Sequence, residues 1–504
     1  MTWVRNGFGE IIHQTSPDSG ITDHVRDARG LVTQTTDARG VVTDMTYDAA
    51  GRMLTRSYPA ATTENVTYAY DSIASGNKGK GRLTSMTHEG GAIAWTYDVR
   101  GNVTREARTI AGAARNVLYS YTTADNLTYL TYPSGRQVAY TRDTSGRITS
   151  VKTRKVSTDA WSNVLTSIVY APQSRLVQSA TFANGVNDWN TYTEDYELDV
   201  LGLYDGPTTL INRAHTRTDA LNLTNIFDNV TPANNAALWY SPANRLQNAD
   251  GPWGSETFYY DGVGNRIENR TTPPGGSETI ATLGYPATSN RVTQITQNAT
   301  TVRSIGYDAA GNITSDSRLG SVYAYTYNKA NRLKTVSYEG NLKGTYTYNS
   351  LHQLIKRVVT NSGSLDGTTH YVHDRSGNVI AELNAAGATV REYIWLPEAE
   401  IAPTAASRAQ IDRPIAVVDG VNATPATYYV HTDHLHRPIR MTNAAKAFVW
   451  SAEYQPWGAV QSLSGALALD LRFPGQWFQL EAGLHYNWHR HYDASLGRYT
   501  QPDP

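Results

Sequence analysis

The chain has 504 residues, which at the usual size of about 150 residues per domain would allow about three domains. Its composition is skewed, with 33 Tyr and 40 Gly but only 7 Phe and 5 Met, and this bias favours twisted strands and tight turns over helices. The 44 Lys and Arg residues balance 45 Asp and Glu residues, so no global charge would hold nucleic acid or an anionic membrane. The absence of Cys excludes disulfide scaffolds, Cys-ligated zinc, iron–sulfur clusters and thiol catalysis.

The sequence contains no run of about 18 apolar residues. The opening MTWVRNGFGE lacks both the basic and the apolar region of a signal peptide. We therefore expect neither a membrane-spanning segment nor a secretory leader in the chain as given. We also expect no nucleotide cofactor, because the Gly-rich hits are turn glycines and not a phosphate loop.

One short phrase recurs along the chain: an aromatic residue, Asp or Asn, two small residues, Gly or Asn, then Arg or Asn. The clear copies contain Tyr47, Asp48 and Gly51; Tyr97, Asp98 and Gly101; Tyr260, Asp261 and Gly264; and Tyr307, Asp308 and Gly311. Looser copies begin at Tyr140, Tyr240, Tyr285, Tyr327, Tyr348 and Tyr371. From Tyr240 onward successive copies start 20 to 25 residues apart, which is the length of two strands. Between about 151 and 239 the phrase weakens while strand-like alternation continues, so we expect degenerate repeats there.

The chemistry of the phrase is that of a hairpin turn, because Asp or Asn can bond the nearby backbone and Gly or Asn tolerates positive φ. In the flanking segment 321–327, alternation places Tyr323, Tyr325 and Tyr327 on one face of a strand. Two-strand units are marginal alone, so successive hairpins must pair into one long, coiled sheet. We expect the tyrosines to pack across strands, the alternative being a platform for sugars or bases.

The repeat resembles the YD repeats of the bacterial rearrangement hotspot (RHS) proteins, and more distantly those of toxin-complex C components and the animal teneurins. Residues 428–438 (YYVHTDHLHRP) and 453–458 (EYQPWG) are similar to the opening of the RHS repeat-associated core, and residues 471–504 are similar to a further part of it. The residues that match this core are His431, Asp433, His434, His436, Arg437, Pro438, Trp457, Gly458, Gly475, Gly483, His485, Tyr486, Arg490, Tyr492, Gly497, Tyr499 and Pro504.

The resemblance implies an all-β fold. YD-repeat β-hairpins would wind into a hollow cocoon or shell, closed at one end by an inward-spiralling C-terminal core domain. The repeat shell would cover residues 1–400 and the core residues 401–504. The Pro- and Ala-rich passage between 396 and 419 suits an extended connection between the two.

The resemblance also implies a function, the shell of a bacterial polymorphic toxin. In the family the shell encloses a C-terminal toxic polypeptide for delivery to other cells, and the core is an aspartic autoprotease that releases it. Arg498 and Asp503 match the first part of the autoprotease pattern, while the second Asp and the cut site would lie beyond Pro504. Because an aspartic mechanism needs two carboxylates that share a proton, we expect the 504-residue chain to be inert to self-cleavage.

The expected partners are the enclosed toxin polypeptide, secretion-system components and an immunity protein that acts on the toxin, with no nucleic acid. The chain would be made in the bacterial cytoplasm and exported or delivered at the cell surface by a route that it does not encode. Because it starts in mid-repeat and lacks a toxin, we expect it to be a fragment.

Two other functions use the same residues. One is a surface adhesion module in which exposed aromatic side chains bind glycans. The other is a metal-dependent hydrolase, because His434 and His436 would share one face of a strand beside Asp433. Its ligands would come from two His groups, His431, His434 and His436, and His485, His489 and His491. We favour packing roles for these histidines and expect no metal, because the sequence spells out neither a closed tetrahedral set nor HExxH.

Overall fold

The computed structural model describes residues 1–397, 412–473 and 475–503. Strands account for 56% of the residues and helix for 2%, so the predicted all-β fold is confirmed. In these described ranges the helical segments are short 3₁₀ turns, at Thr62–Glu64, Ala74–Gly76, Pro232–Asn234 and Gly363–Leu365. Within the same ranges, no helix has the length and apolarity that a membrane span requires.

Forty strands form one antiparallel sheet, in which each strand pairs with its neighbours in sequence. The first twenty are β1 Thr2–Arg5, β2 Ile11–Ser16, β3 Gly20–Arg26, β4 Val32–Thr36, β5 Val42–Tyr47, β6 Met53–Ser57, β7 Val66–Tyr70, β8 Leu83–His88, β9 Gly91–Tyr97, β10 Val103–Ile110, β11 Ala113–Tyr121, β12 Leu127–Thr131, β13 Gln137–Arg142, β14 Ile148–Arg154, β15 Ser162–Tyr170, β16 Val177–Phe182, β17 Val186–Tyr192, β18 Leu198–Asp205, β19 Thr208–Arg217 and β20 Leu223–Asp228.

The second twenty strands complete the large sheet, and four more form a small separate one. The second twenty are β21 Ala236–Tyr240, β22 Leu246–Gly251, β23 Gly254–Tyr260, β24 Arg266–Thr272, β25 Thr279–Gly284, β26 Gln294–Gln297, β27 Thr300–Tyr307, β28 Ile313–Arg318, β29 Ser321–Tyr327, β30 Leu333–Tyr338, β31 Asn341–Tyr348, β32 Leu354–Val359, β33 Gly367–His373, β34 Val379–Leu383, β35 Thr389–Leu396, β36 Arg413–Asp419, β37 Ala426–Thr432, β38 Pro438–Thr442, β39 Phe448–Tyr454 and β40 Val460–Ser464. The small sheet contains β41 Trp477–Gln479, β42 Leu484–Asn487, β43 Arg490–Asp493 and β44 Arg498–Tyr499.

The recurring phrase forms the turns along one border of the large sheet, which we call the Tyr-Asp rim. Each clear copy follows a strand that ends in its Tyr, at β5, β9, β23 and β27. After the turn the pairing register skips one residue, so Tyr47 pairs with Met53 but Thr46 with Thr55. The same skip follows the other three clear copies. A bulge of this kind increases the local twist and bends the sheet, so its repetition on one rim coils the whole sheet.

The coiled sheet returns to contact itself along a line that we call the seam. There the opposite rim of residues 18–64 contacts the Tyr-Asp rim of residues 289–334. Arg291 Nε donates to the Asp18 carbonyl at 2.9 Å, and Arg39 NH1 donates to the Asn328 carbonyl at 3.0 Å. The backbone N–H of Lys329 donates to the Glu64 carboxylate at 2.6 Å. We call the strands before Arg291 the first winding and those after it the second winding. Hydrogen bonds between their turns join the two windings at the seam.

Beyond the seam, the two windings bury apolar side chains between them. The Tyr132 hydroxyl donates to the Tyr393 carbonyl at 2.8 Å, and the Phe182 ring lies 5.8 Å from that of Tyr429. Val138 and Ile394 are fully buried in the same apolar cluster. One continuous core therefore links strands that are far apart in sequence.

The strands after residue 412 divide between the two sheets. Strands β36 to β40 continue the large sheet, and only β41 to β44 form the small one. The boundary predicted near residue 400 falls in residues 398–411, which lie outside the described ranges. That division into two domains stays a prediction.

Candidate functional site

The Tyr-Asp turn is a five-residue unit that runs from Asp at position one to Arg or Asn at position five. In the copy at Asp48, Oδ1 accepts the backbone N–H of Arg52 at 2.9 Å and Oδ2 accepts Arg52 Nε at 2.7 Å. Gly51 at position four has φ of +79°, a conformation that favours glycine. Asp98, Asp261 and Asp308 bond the position-five N–H in the same way, at 2.8–2.9 Å. The local sequence therefore determines the turn.

At eleven of these turns, the tyrosine before the turn bonds the open end of its own hairpin. The Tyr47 hydroxyl donates to the carbonyl of Val32, the first residue of the hairpin, at 2.8 Å. Ten more tyrosines make the equivalent bond at 2.6–3.0 Å: Tyr70, Tyr97, Tyr121, Tyr170, Tyr192, Tyr260, Tyr285, Tyr307, Tyr327 and Tyr454. Sequence reasoning missed this bond, although the excess of Tyr over Phe was its signal. The bond favours the packing interpretation of these side chains.

Position five also links neighbouring turns on the rim. Arg52 pairs with Asp48 in its own turn and stacks 4.5 Å from the ring of Tyr70, which precedes the next turn. Where position five is Asn, as at Asn102, the amide bonds the turn Asp and also the next turn, here Asp125 at 2.6 Å. The rim is thus a continuous row of polar side chains.

The segment with His431, His434 and His436 is one of these turns, with Asp433 at position one. Oδ1 of Asp433 accepts two backbone N–H groups at 2.9 Å, and Arg437 at position five pairs with Oδ2 at 2.7 Å. Although burial would raise the pKa of Asp433, the charge of Arg437 and these hydrogen bonds lower it to about 2. The expectation that His434 and His436 share one strand face is wrong, because both lie in the turn and His436 has φ of +59°.

The histidines of this segment have partners within the two windings. His431 Nε2 bonds Thr442 Oγ1 at 2.9 Å, and its Nδ1 lies 3.5 Å from Asp188 in the first winding. The His434 ring lies 5.2 Å from that of His215, and burial lowers the pKa of His434 to about 3. His431, His434 and Asp188 line a cavity of about 400 Å³ together with Asn190.

The second His group belongs to the small sheet, where His485 lies on β42, His491 on β43 and His489 between them. Burial lowers the pKa of His485 to about 4 and that of His491 to about 3, so both are neutral near pH 7. Across the described ranges, no three His, Asp or Glu side chains are grouped closely enough to hold a metal ion.

Buried ion pairs attach the small sheet to the large one. Asp493 at the end of β43 accepts a 2.5 Å hydrogen bond from Arg303 and a 3.2 Å bond from Arg318. Asp316 completes the network, 2.5 Å from Arg303. Burial would raise the pKa of Asp493, but the two guanidinium groups lower it. The small sheet is therefore held to the large one by charged side chains that the sequence analysis did not single out.

A second buried contact fixes the other end of the small sheet. The carboxylate of Glu481 accepts Arg357 Nε at 2.9 Å and the Tyr346 hydroxyl at 2.7 Å. The Tyr486 hydroxyl accepts the backbone N–H of Leu354 at 2.8 Å. All of these partners lie on β31 and β32, so the small sheet covers one face of the second winding.

The two residues predicted to act in self-cleavage, Arg498 and Asp503, have different partners. Asp503 pairs with Arg490 at 2.6 Å, and its side chain is 84% exposed. Arg490 in turn stacks 3.7 Å from the ring of Tyr499. Arg498 instead donates to Asn265 Oδ1 at 3.1 Å, on the Tyr-Asp rim. The guanidinium beside Asp503 is thus that of Arg490.

The remaining core residues are packing and turn positions. The Tyr492 hydroxyl donates to the Trp457 carbonyl at 2.8 Å, and a Cβ on Gly497 would lie 3.1 Å from the Trp457 ring. The Pro438 carbonyl accepts the Tyr454 hydroxyl at 2.8 Å. Four of the glycines that match the core have positive φ, namely Gly458, Gly475, Gly483 and Gly497. Pro504 lies outside the described ranges.

A carboxylate pair that sequence reasoning missed lies on the Tyr-Asp rim. Asp374 is position one of a turn, and the Asn378 amide at position five donates to Asp374 at 3.0 Å and to Asp412 at 2.6 Å. Burial and the charge of Asp412 raise the pKa of Asp374 to about 7. Asp412 is far along the chain from this turn, so no local signal marked the pair.

Comparisons with known proteins agree with this geometry. Residues 427–463 match the family model for the RHS protein, and residues 26–63 and 307–343 match the model for the RHS repeat. Double-stranded DNA deaminase toxin A of Burkholderia cenocepacia is 23% identical over 99% of this chain and 38% of its own length. Toxin protein Tse5 of Pseudomonas aeruginosa is 25% identical over 87% of this chain and 34% of its own length. The chain therefore spans about a third of these relatives.

Among solved structures, the crystal structure of TcdB2-TccC3 superposes with a TM-score of 0.83 over 100% of this chain and 28% of that chain. The sequence identity is 15%, so this likeness concerns the fold. The shared architecture is a long antiparallel sheet of Tyr-Asp hairpins wound on itself. The chain thus contains segments of the RHS repeat and a C-terminal segment that matches the RHS protein.

Proposed function

We propose that this chain is the shell of a bacterial polymorphic toxin, which encloses a toxic polypeptide until its delivery into a competitor or host cell. The seam carries the proposal, because hydrogen bonds such as that from Arg291 to the Asp18 carbonyl close one winding of the sheet against the next. Two bacterial relatives that are named as toxins support it. Export or surface delivery of the shell belongs to the same proposal, as does an immunity protein that acts on the toxin.

Enclosure is tested by protection of a fused polypeptide from protease. An unstructured, protease-sensitive segment is attached after Pro504 in one protein and before Met1 in another. The first fusion should be digested much more slowly than the second, because only the C-terminal segment follows the core that packs against β31 and β32. Equal digestion of the two fusions would contradict the container function.

We also propose that the core acts as an aspartic autoprotease when the chain continues beyond Pro504. Asp503 would be the first carboxylate, and Arg490, at 2.6 Å, is the cation that holds it. The test is expression of the chain with the polypeptide that its gene encodes after Pro504. We expect one cut within that extension, and we expect Asp503→Asn to leave the extended chain folded and uncut. Cleavage of Asp503→Asn at the normal rate would make Asp503 a turn residue only.

A further inference from the structure

Position five of a Tyr-Asp turn decides how the tyrosine of the next turn is covered. Arg147 pairs with Asp143 of its own turn and stacks 5.0 Å from the ring of Tyr170. The Asp433 turn repeats this arrangement, with its arginine 4.6 Å from the ring of Tyr454. An asparagine at position five bonds the turn Asp but is too short to cover the next ring. The ring of the following tyrosine is then open to a cation from elsewhere in the chain.

At the turn 261–265 the C-terminal segment provides that cation. Position five is Asn265, and the guanidinium of Arg498 lies 5.3 Å from the ring of Tyr285, the next repeat tyrosine. The same guanidinium donates to Asn265 Oδ1 at 3.1 Å and to the Asn290 carbonyl at 3.0 Å. Arg498, which is distant in sequence, thus covers Tyr285 in the way that Arg147 covers Tyr170 from the preceding turn.

The segment continues to a second asparagine turn, 308–312. The Gln501 amide donates to Asn312 Oδ1 at 2.8 Å and to the Asn331 carbonyl at 2.9 Å. Between these side chains, the backbone N–H of Ile313 donates to the Thr500 carbonyl at 2.9 Å. Residues 498–501 therefore follow the rim from one asparagine turn to the other.

A related contact occurs at another asparagine turn of the rim. Asn102 is position five of its turn, and the next repeat tyrosine, Tyr121, accepts a hydrogen bond from Arg375 at 3.3 Å. Arg375 belongs to the second winding, so here too a distant arginine approaches a tyrosine that follows an asparagine turn. This case is independent of the C-terminal segment.

We infer that Asn265 and Asn312 form a docking site for an arginine-bearing segment, and that residues 498–501 occupy it. Docking holds the chain beside the seam just before Asp503, so the two asparagines are positioning residues for that carboxylate. The link to cleavage rests on the proposed function, whereas the docking itself does not.

The test is hydrogen exchange on the 504-residue chain carrying Asn265→Arg. The new guanidinium can pair with Asp261 and cover Tyr285, as Arg147 covers Tyr170, and would displace Arg498. Exchange of the Ile313 amide should rise at least about tenfold, because its hydrogen bond to the Thr500 carbonyl is lost. Protection of the Asp261 amide, which bonds the carbonyl of position five, should persist and show that the turn is intact.

Two further variants control this result. Asn222→Arg changes position five of a turn that Arg498 does not contact, and should leave the Ile313 amide protected. Arg498→Ala should raise the exchange of the Ile313 amide as Asn265→Arg does, and the double variant should add nothing, because both changes remove one interaction.

Unchanged protection of the Ile313 amide in Asn265→Arg would overturn the docking site, as would full additivity in the double variant. No cleavage is needed for these measurements. A failure of docking and a failure of self-cleavage are therefore separate results.

Discussion

The Tyr307 hydroxyl donates a 2.7 Å hydrogen bond to the carbonyl oxygen of Val292, and this bond closes the open end of the hairpin formed by β26 and β27. A hairpin is held firmly at its turn and frays at its open end. The bond therefore acts where the two-strand unit is weakest. The acceptor is a backbone carbonyl, so the bond depends on the donor at position 307, and phenylalanine there could not make it.

Removal of this hydroxyl should destabilise the shell. Tyr307→Phe leaves the Val292 carbonyl without its donor and should lower the free energy of unfolding by about 1 kcal/mol. Tyr325→Phe is the matched control, because the buried Tyr325 hydroxyl has no hydrogen-bond partner among the described residues. That change should be neutral or slightly stabilising. Denaturant midpoints of the two variants measure the difference, and equal losses would show that the hydroxyl bond contributes nothing.

The turns could be predicted from the sequence because their chemistry is local. Asp48 and Asp308 each bond backbone groups within the next four residues, and Gly51 and Gly311 adopt the positive φ that the phrase implied. The seam could not be predicted. It joins Asp18 to Arg291, and no pattern near either residue specifies the other.

Two turns with the same sequence separate local from long-range effects. Residues 47–51 and 307–311 both read Tyr-Asp-Ala-Ala-Gly, and their glycines have φ of +79° and +80°. A Cβ on Gly311 would lie 2.1 Å from the Asp18 carbonyl oxygen and 2.8 Å from Pro502, whereas one on Gly51 meets only Leu31, at 3.7 Å. Gly51→Ala should therefore cost about 1 kcal/mol from backbone strain alone.

Gly311→Ala should cost distinctly more than Gly51→Ala, because it also separates the windings at the seam. The backbone N–H of Asn290 donates to the Asp18 carboxylate at 2.7 Å. Its hydrogen exchange should be faster than in the parent for Gly311→Ala and unchanged for Gly51→Ala. Thermal unfolding compares the total effects. If both variants lose the same stability, the contact at the seam is not maintained in solution.

The Asp374 carboxyl should make stability fall as the pH rises from about 4 to 7. Its pKa is raised from 3.8 to about 7 in the folded chain, so folding takes up a proton in this interval. The stabilising contribution is complete below pH 3.8 and is lost as the pH passes the folded value. Asparagine cannot ionise, so the free energy of unfolding of Asp374→Asn should gain on that of the parent as the pH rises. Between pH 4 and pH 8 this gain should be on the order of 1–3 kcal/mol.

Asp98→Asn is the control, because the turns 98–102 and 374–378 both have Asp at position one, Gly at four and Asn at five. Hydrogen bonds from its own turn lower the pKa of Asp98 although desolvation opposes them, so its effect on stability lies below pH 3.8. The parent minus Asp98→Asn difference should be flat between pH 4 and 8. A flat difference for Asp374→Asn as well would mean that Asp374 and Asp412 do not interact.

Asp493→Asn should release the small sheet from the large one. The change leaves Arg303 and Arg318 buried against a single carboxylate, that of Asp316, and should cost about 3 kcal/mol of local stability. Amide exchange in β43 and β44 measures it. Asp470→Asn is the control, because Asp470 lies 3.5 Å from Arg357 with its side chain 43% exposed, and such pairs contribute less than about 1 kcal/mol. Equal exchange in the two variants would contradict docking by buried charge.

The sequence marked the C-terminal core but not how its residues pair. Matching the family pattern directed attention to Arg498 and Asp503, whereas the structure places Arg490 beside Asp503. Arg498 and Arg490 are only eight residues apart, so position in the sequence alone does not separate their roles. The difference arises from Asn265 and Tyr285, which are more than two hundred residues earlier in the chain and attract Arg498 to the rim.

The seam also limits the length of the repeat array. The turn geometry of each hairpin is determined by its own sequence, so one hairpin could replace another and keep that geometry. The stretch between Asp18 and Arg291, however, is one full winding, and its number of hairpins decides which turns face each other. Deletion or insertion of one hairpin within that stretch would set Asp18 opposite a different turn, although every hairpin stayed intact. The number of hairpins in a winding is therefore constrained during recombination among such repeats. A tolerated deletion of a hairpin inside a winding should be accompanied by the insertion of another hairpin in the same winding.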